Sequence, residues 1–272
     1  MSLLSVMKNN GIENLKKYFK KEPSIILAFL FGSFAKGFET EESDFDIAVY
    51  LKDTKKENEI WSKSTEIIKR EIDLVCLNET SATLVSNVFK TGVPLAIKDR
   101  DLYWNLYLEK SLESEDFLEF SKDFFKIYKK AKSLIPEEKN RILERLQFLD
   151  SELKEIREFK KLTFKEYEEN KTKRRNIERW TENIINATID IAKIILASEK
   201  KRMPKTYAEA LFNFGIFAGL TEEEANKLSS FSNLRNILAY EYLDILYQKI
   251  QNFIKESQKL YKEIFGFLGK YL

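Results

Sequence analysis

The hydrophobic rhythm of the chain changes partway along its length. Short apolar runs dominate the first hundred residues. "IILAFLF" (25–31) is such a run, closed by Gly32, and it predicts a buried strand. "DFDIAVYL" (44–51) first alternates polar and apolar positions and then turns apolar, which predicts a second strand. "EIDLVCL" (71–77) predicts a third, and residues 56–69 between them carry helical periodicity. A sheet interleaved with helices is expected here. After "TGVPLAIKDRDLYW" (91–104) the period lengthens to three and four. Phe117, Phe120, Phe124, Ile127, Ala131 and Leu134 form one helical stripe. Leu143, Leu146, Leu149, Leu153 and Ile156 form another, and Ile177, Trp180, Ile184, Ala187, Ile191 and Ile194 a third. Pro136 with Glu137 and Glu138 reads as a helix start, because proline lacks only an orphan N–H there and acids suit the positive end of the dipole. Thr163 with Glu166, and Thr221 with Glu224, are capping-box pairs. Asp244 is placed to cap a last helix whose stripe includes Ile250, Phe253, Leu260 and Ile264. Four or five antiparallel helices would bury these stripes as a bundle. Pro136 sets the expected domains at 1–134 and 135–272.

Composition narrows the chemistry. The 272 residues are 43% hydrophobic and 33% charged, which suits folded globular domains. A net charge of +2 argues against strong sequence-independent nucleic-acid binding and leaves room for a local basic patch. No apolar run approaches a membrane span, and the first residues lack a signal-peptide core, so no membrane partner is expected. The single cysteine, Cys76, excludes an internal disulfide and fits a reducing cytoplasm. Cys76 and the tryptophans Trp61, Trp104 and Trp180 are expected in cores. There is no histidine at all. That removes serine–histidine and cysteine–histidine nucleophile systems and histidine-bound zinc in one step. Any metal must be held by carboxylates and carbonyls, which suits Mg²⁺ or Mn²⁺.

"GSFAKGFETEESDFDIAVYL" (32–51) carries the densest chemistry. Residues two apart on a strand share a face, so Asp44 and Asp46 present two carboxylates together while Phe45, Ile47 and Val49 turn to a core. Two such charges about 5 Å apart repel by about 3 kcal/mol at an effective dielectric near 20, and a divalent cation turns that cost into attraction. Asp73 is placed to add a third carboxylate. Gly32 lets backbone approach a ligand, Ser33 offers an N–H and a hydroxyl for phosphate, and Lys36 can neutralise phosphate charge. Together these residues suit metal-assisted phosphoryl or nucleotidyl transfer.

The stretch resembles the nucleotidyltransferase signature G-S-x-A-x-G-(x)5-S-D-x-D through Gly32, Ser33, Ala35, Gly37, Ser43, Asp44 and Asp46. "IDLV" with Asp73 resembles the third carboxylate of that family. The resemblance covers about the first 130 residues. It implies a DNA polymerase β-like minimal nucleotidyltransferase domain, with a mixed sheet and helices, moving a nucleoside monophosphate from a triphosphate (ATP the expected donor) to a hydroxyl.

"SSFSNLRNILAYEYLDI" (229–245) is the second informative stretch. On a helix Arg235 and Tyr242 share a face, and Asn236 and Tyr240 stand four apart. By composition alone, a tyrosine-rich bundle interface with one arginine paired to an acid is the better account of these residues. The stretch is similar to the R-(x)4-H-x-Y motif of toxin-type HEPN domains, four-helix ribonucleases that act as homodimers, and the likeness runs from about 140 to 272. It implies a multi-domain α+β protein whose second domain is an all-α HEPN bundle, dimeric through that domain. Tyr240 stands where the family has histidine. A phenol, with an ordinary pKa near 10, is a poor proton acceptor at neutral pH, so ribonuclease activity is expected to be largely lost. In related two-protein systems a nucleotidyltransferase antitoxin places AMP on the motif tyrosine, here Tyr242. Three functions follow: a fused toxin–antitoxin-type adenylyltransferase, an aminoglycoside-type small-molecule nucleotidyltransferase, and a non-enzymatic nucleotide- or RNA-binding remnant. The basic run "NKTKRRNIERW" (170–180) is a candidate RNA contact against the plainer reading of a solvated face.

Overall fold

The computed structural model describes residues 3–36, 44–130, 133–238 and 243–272. Two compact units, Met1–Asp116 and Phe117–Leu272, divide the chain. The division lies inside a helix, upstream of the Pro136 signal.

The first unit runs α1 (Leu3–Lys21), β1 (Ile25–Phe31), α2 (Gly32–Lys36), β2 (Phe45–Leu51), a 3-10 turn (Thr54–Lys56), α3 (Glu57–Ile68), β3 (Ile72–Cys76), α4 (Ala82–Thr91), β4 (Val93–Ile97) and the first half of α5 (Arg100–Lys130). Its sheet has the order β3-β2-β1-β4. β1 is antiparallel to β2 and β4, and β2 is parallel to β3, so the sheet is mixed as expected. Every residue of β1 is apolar because both sheet faces are covered. On one face Leu15 and Phe19 of α1 and Ile60 of α3 pack on Ala28, Phe45, Ile47 and Val49. On the other, Val85, Val88 and Phe89 of α4 pack on Leu27, Phe29, Phe31 and Ala48. The three expected strands and the helix between the last two are present. β4, with Pro94 in it, is an additional edge strand, the one sheet position where a missing N–H costs little.

The second unit holds the rest of α5, then α6 (Pro136–Lys154), α7 (Ile156–Phe159), α8 (Phe164–Glu169), α9 (Lys171–Ser198), α10 (Tyr207–Phe217), α11 (Glu222–Ile237) and α12 (Leu243–Tyr271). α9 runs through its core, with Ile177, Trp180, Ile184, Ala187, Ile191 and Ile194 all buried. Pro136 opens α6, and both capping boxes form, Thr163 with Glu166 and Thr221 with Glu224. A charge cluster ties α5, α6 and α9. Asp123 meets Arg141 at 2.9 Å and Lys193 at 3.0 Å, and the buried Glu138 accepts from Arg141 at 2.8 Å.

Four local expectations need correction. Leu143 is 39% exposed, and its neighbour Ile142, at 0%, leads the α6 stripe, which keeps strict three- and four-residue steps to Leu146 and Leu149. Trp61 and Trp104 are 45% and 55% exposed, unlike the buried Trp180 and Cys76. The Trp61 indole N–H reaches the Ile72 carbonyl at 2.9 Å, so its polar edge sets its place rather than its area. Asp244 lies within α12 (Leu243–Tyr271), not ahead of it. Ala131 lies outside the described residues.

The corrected phase of α6 is testable by urea denaturation. Ile142→Ala is expected to cost about 2–4 kcal/mol and Leu143→Ala about 0.5 kcal/mol or less. A larger cost at Leu143 than at Ile142 would mean that the helix is turned as the sequence stripe implied.

Candidate active site

The acidic site is assembled by strand register. Asp46 of β2 pairs with Phe31 on one side and with Asp73 of β3 on the other. Paired residues on adjacent strands share a face about 4.8 Å apart, so the Asp46 and Asp73 carboxylates rise from the same side of the sheet. Phe45, Ile47 and Val49 turn to the opposite core, as the alternation required. Asp44 lies just ahead of β2 and is exposed, as is Asp73, whereas Asp46 is partly buried.

Gly32 seats Asp46. Its φ is +71°, and a Cβ at this position would stand 1.8 Å from Asp46 Oδ2 and 2.6 Å from its Cγ. Only glycine both adopts this conformation readily and leaves room for the carboxylate. The backbone N–H of Ser33 donates to Asp46, so that N–H serves the acid here. Burial pushes the Asp46 carboxyl above the ordinary carboxylate range; the charge of Asp73 adds to this, the Ser33 N–H opposes it, and Asp44 contributes least. Lys36 ends α2, while its side chain, Gly37 and Ser43 lie outside what is described.

The motif of the second unit is described in part. Arg235, in the last turn of α11, donates from Nε to Asn186 Oδ1 of α9 at 2.6 Å. Its guanidinium lies 5.0 Å from the centroid of the Tyr207 ring. Tyr240, Tyr242 and the side chain of Asn236 lie outside the described residues. Arg235 and Leu238 line a cleft of about 260 Å³ together with Arg175, Glu178, Arg179 and Glu182 of α9. Both carboxylates are engaged: Glu178 accepts from the buried Tyr167 hydroxyl at 2.6 Å, and Glu182 pairs with Arg179 at 3.0 Å. Three arginines therefore line one cleft.

Comparison with known proteins divides the chain in the same way. The Polymerase beta, Nucleotidyltransferase family matches residues 13–101, and the Ribonuclease HepT-like family matches residues 149–266. The chain is 29% identical over 109 residues to the protein adenylyltransferase MntA of Shewanella oneidensis, covering 35% of this chain and 78% of that protein. It is 32% identical over 101 residues to the tRNA nuclease HepT of Aphanizomenon flos-aquae, covering 37% of this chain and 69% of that protein. A crystal structure of a toxin–antitoxin with AMP-PNP aligns at 23% identity with a TM-score of 0.37, covering 42% of this chain and 95% of the matched chain.

The chain is a nucleotidyltransferase–HEPN fusion. Its nucleotidyltransferase domain carries the acidic site, and its HepT-like domain carries the arginine cleft. Among the described residues no three acidic or thiol side chains stand close enough to form a ready-made metal cage. The donor chemistry nevertheless fits a divalent cation. Asp46 and Asp73 offer carboxylate oxygens held in register, and the Asp73 charge is one cause of the raised Asp46 affinity for a proton. What sequence reasoning missed is the company of Arg235: Arg175 and Arg179 lie some sixty residues earlier, and only the fold brings them to it. The basic run 170–180 was the signal for them. Among the described residues no helix is long and apolar enough to cross a membrane.

Because Asp46 holds its proton more tightly folded than unfolded, its charge costs stability at neutral pH, and that cost fades as the pH falls through its folded-state value. In metal-free protein Asp46→Asn should therefore be neutral or stabilising at pH 7, by up to about 1 kcal/mol, with the gain shrinking toward pH 4. Urea titrations at both pH values measure this. A clear loss of stability at pH 7 would contradict the strained-carboxylate account.

Proposed function

We propose that the chain is a Mg²⁺- or Mn²⁺-dependent adenylyltransferase that moves AMP from ATP to a hydroxyl, with Tyr242 of its own HepT-like domain the leading acceptor, within one chain or across a homodimer. The observation that carries this reading is the register pair Asp46–Asp73 beside the Gly32 seat. Asp44, Asp46 and Asp73 would hold the metal, which when bound neutralises phosphate charge and the departing pyrophosphate. Ser33 and Lys36 would grip the triphosphate. In the reaction the acceptor oxygen attacks the α-phosphorus, the bond from that phosphorus to the pyrophosphate oxygen breaks, and the hydroxyl proton passes to a site carboxylate. Pyrophosphate leaves, and a phosphodiester links AMP to the tyrosine. The adenylyltransferase named among the relatives supports this choice of reaction and donor over a small-molecule acceptor.

A second reading concerns RNA. The relative named as a tRNA nuclease and the three arginines at one cleft support RNA contact by the HepT-like domain. With Tyr240 in the place of histidine, the phenol is a poor base at neutral pH, so the domain holds RNA without cutting it.

Incubation with ATP and Mg²⁺ followed by mass spectrometry is expected to show a 1:1 AMP adduct on Tyr242. Tyr242→Phe should abolish the adduct, and the paired substitution Asp44→Asn with Asp46→Asn should reduce it by at least about a thousandfold. Removal of divalent ions with EDTA should do the same. An unmodified protein, or an adduct that survives loss of both aspartates, rejects the proposal.

For RNA, Arg175→Gln with Arg179→Gln is expected to weaken binding of a fluorescent single strand. The slope of log affinity against log salt should fall by about 1.4, roughly 0.7 for each phosphate contact. An unchanged slope would show that these arginines face solvent only, and cleavage by the parent protein would show that the missing imidazole is dispensable.

A further inference from the structure

Three separate segments build the acidic site: the Gly32–Ser33 turn, residues 44–46, and the entry to β3 with Asp73. Each has a neighbour directed to the other side of the sheet. Phe34 follows Ser33, Phe45 separates the two aspartates of β2, and Arg70 precedes Asp73 by three residues. The Phe34 and Phe45 rings stack with centroids 3.9 Å apart and planes 21° from parallel. The Arg70 guanidinium lies 5.8 Å from the Phe34 ring and 5.9 Å from the Phe45 ring, so one cation covers both. Both distances fall within the range in which a guanidinium is attracted to a ring face.

The turn that brings Arg70 to this place is itself constrained. Lys69 caps α3 in a left-handed conformation, φ 58°, which a lysine adopts at a cost. Its N–H closes on the Thr65 carbonyl at 2.8 Å, and three residues later the chain enters β3 in register with β2. A left-handed lysine reverses the chain tightly at this point, and Arg70 is carried over the aromatic pair by that reversal.

We propose that Arg70 is a positioning residue for nucleotidyl transfer. By covering the Phe34–Phe45 stack it fixes the glycine–serine turn against the acidic strand and ties both to the strand that carries Asp73. It acts through the spacing of the carboxylates and the Ser33 turn, on the far side of the sheet from them, and does not touch the nucleotide. The inference rests on the nucleotidyl-transfer reading above and assigns a role to a residue outside its signature motif. A displacement of about 1 Å among reacting groups can cost about a hundredfold in rate, so a clamp of this kind is felt in turnover.

The test is steady-state kinetics of AMP transfer by the full chain. Arg70→Ala should lower kcat by about 10- to 100-fold with the KM for ATP changed by less than about threefold, because geometry is lost rather than ground-state binding. Phe34→Leu, which keeps an apolar side chain and removes the ring face, should reproduce this split. Arg70→Lys keeps a cation for the rings and should recover most of the rate. An unchanged kcat in Arg70→Ala overturns the inference. A raised KM at full kcat also overturns it, since Arg70 would then bind the nucleotide directly. So does a loss that parallels the unfolded fraction by circular dichroism and is not rescued by lysine. If the parent transfers no nucleotide, the functional reading fails by itself, and Mn²⁺ titration followed by electron paramagnetic resonance decides the inference. Binding about tenfold weaker in Arg70→Ala supports the clamp, and equal affinity overturns it.

Discussion

The nucleotidyltransferase domain is organised around an unfavourable contact. Strand register places Asp46 opposite Asp73, with Asp44 two residues from the first, so like charges share one side of the sheet. At about 5 Å and an effective dielectric near 20, one such pair opposes folding by about 3 kcal/mol before solvent relaxes it. Among the described residues the Ser33 N–H opposes this, and burial makes it worse. The register persists because a slip by one residue would turn Phe45, Ile47 and Val49 out of one core and Ala48 out of the other. Both faces of the sheet therefore hold the acids together. Such an arrangement is stable enough to persist and strained enough to favour a cation.

The HepT-like domain has a cleft of mixed charge in which arginine predominates. Arg175, Arg179 and Arg235 line it with two glutamates, of which Glu182 pairs with Arg179 and Glu178 accepts from the Tyr167 hydroxyl. The motif arginine is also held in place, by Asn186 and by the Tyr207 ring, so it is presented in a fixed orientation. The contrast with the charge cluster of α5, α6 and α9 is informative. There Asp123, Glu138, Arg141 and Lys193 satisfy one another, and such a cluster fixes helix positions without asking for a ligand.

Much of this was legible in the sequence because the decisive contacts are local. Gly32, Ser33, Asp44 and Asp46 lie within fifteen residues, and period-two alternation alone sends Asp46 and Phe45 to opposite faces. Both capping boxes could be read from a three-residue spacing. β4 was harder to read because Val93–Ile97 is short and contains a proline, and only its place at the sheet edge makes that proline tolerable. Leu143 and Ile142 are adjacent apolar residues, and which one faces the core depends on the phase set by neighbouring helices. Trp61 and Trp104 mislead because large area suggests burial, whereas the Trp61 indole N–H is held at the sheet edge by the Ile72 carbonyl. Arg70, and the meeting of the basic run 170–180 with Arg235, escaped for another reason: the partners lie 25 to 60 residues away, and no periodicity reports on such distances.

Fusion of the two domains changes what the nucleotidyltransferase must do. An enzyme that modifies a separate protein needs surface affinity for it, whereas a covalently joined acceptor is present at an effective concentration in the millimolar range when the connection allows approach. Such an acceptor is saturating without a dedicated docking interface. Selection on the joined chain can then act on the chemistry alone, which is where Asp44, Asp46 and Asp73 all remain. Under the proposed function, Tyr240 in place of the motif histidine fits the same logic, because an acceptor tyrosine and a cleft lined by arginines need no imidazole of their own.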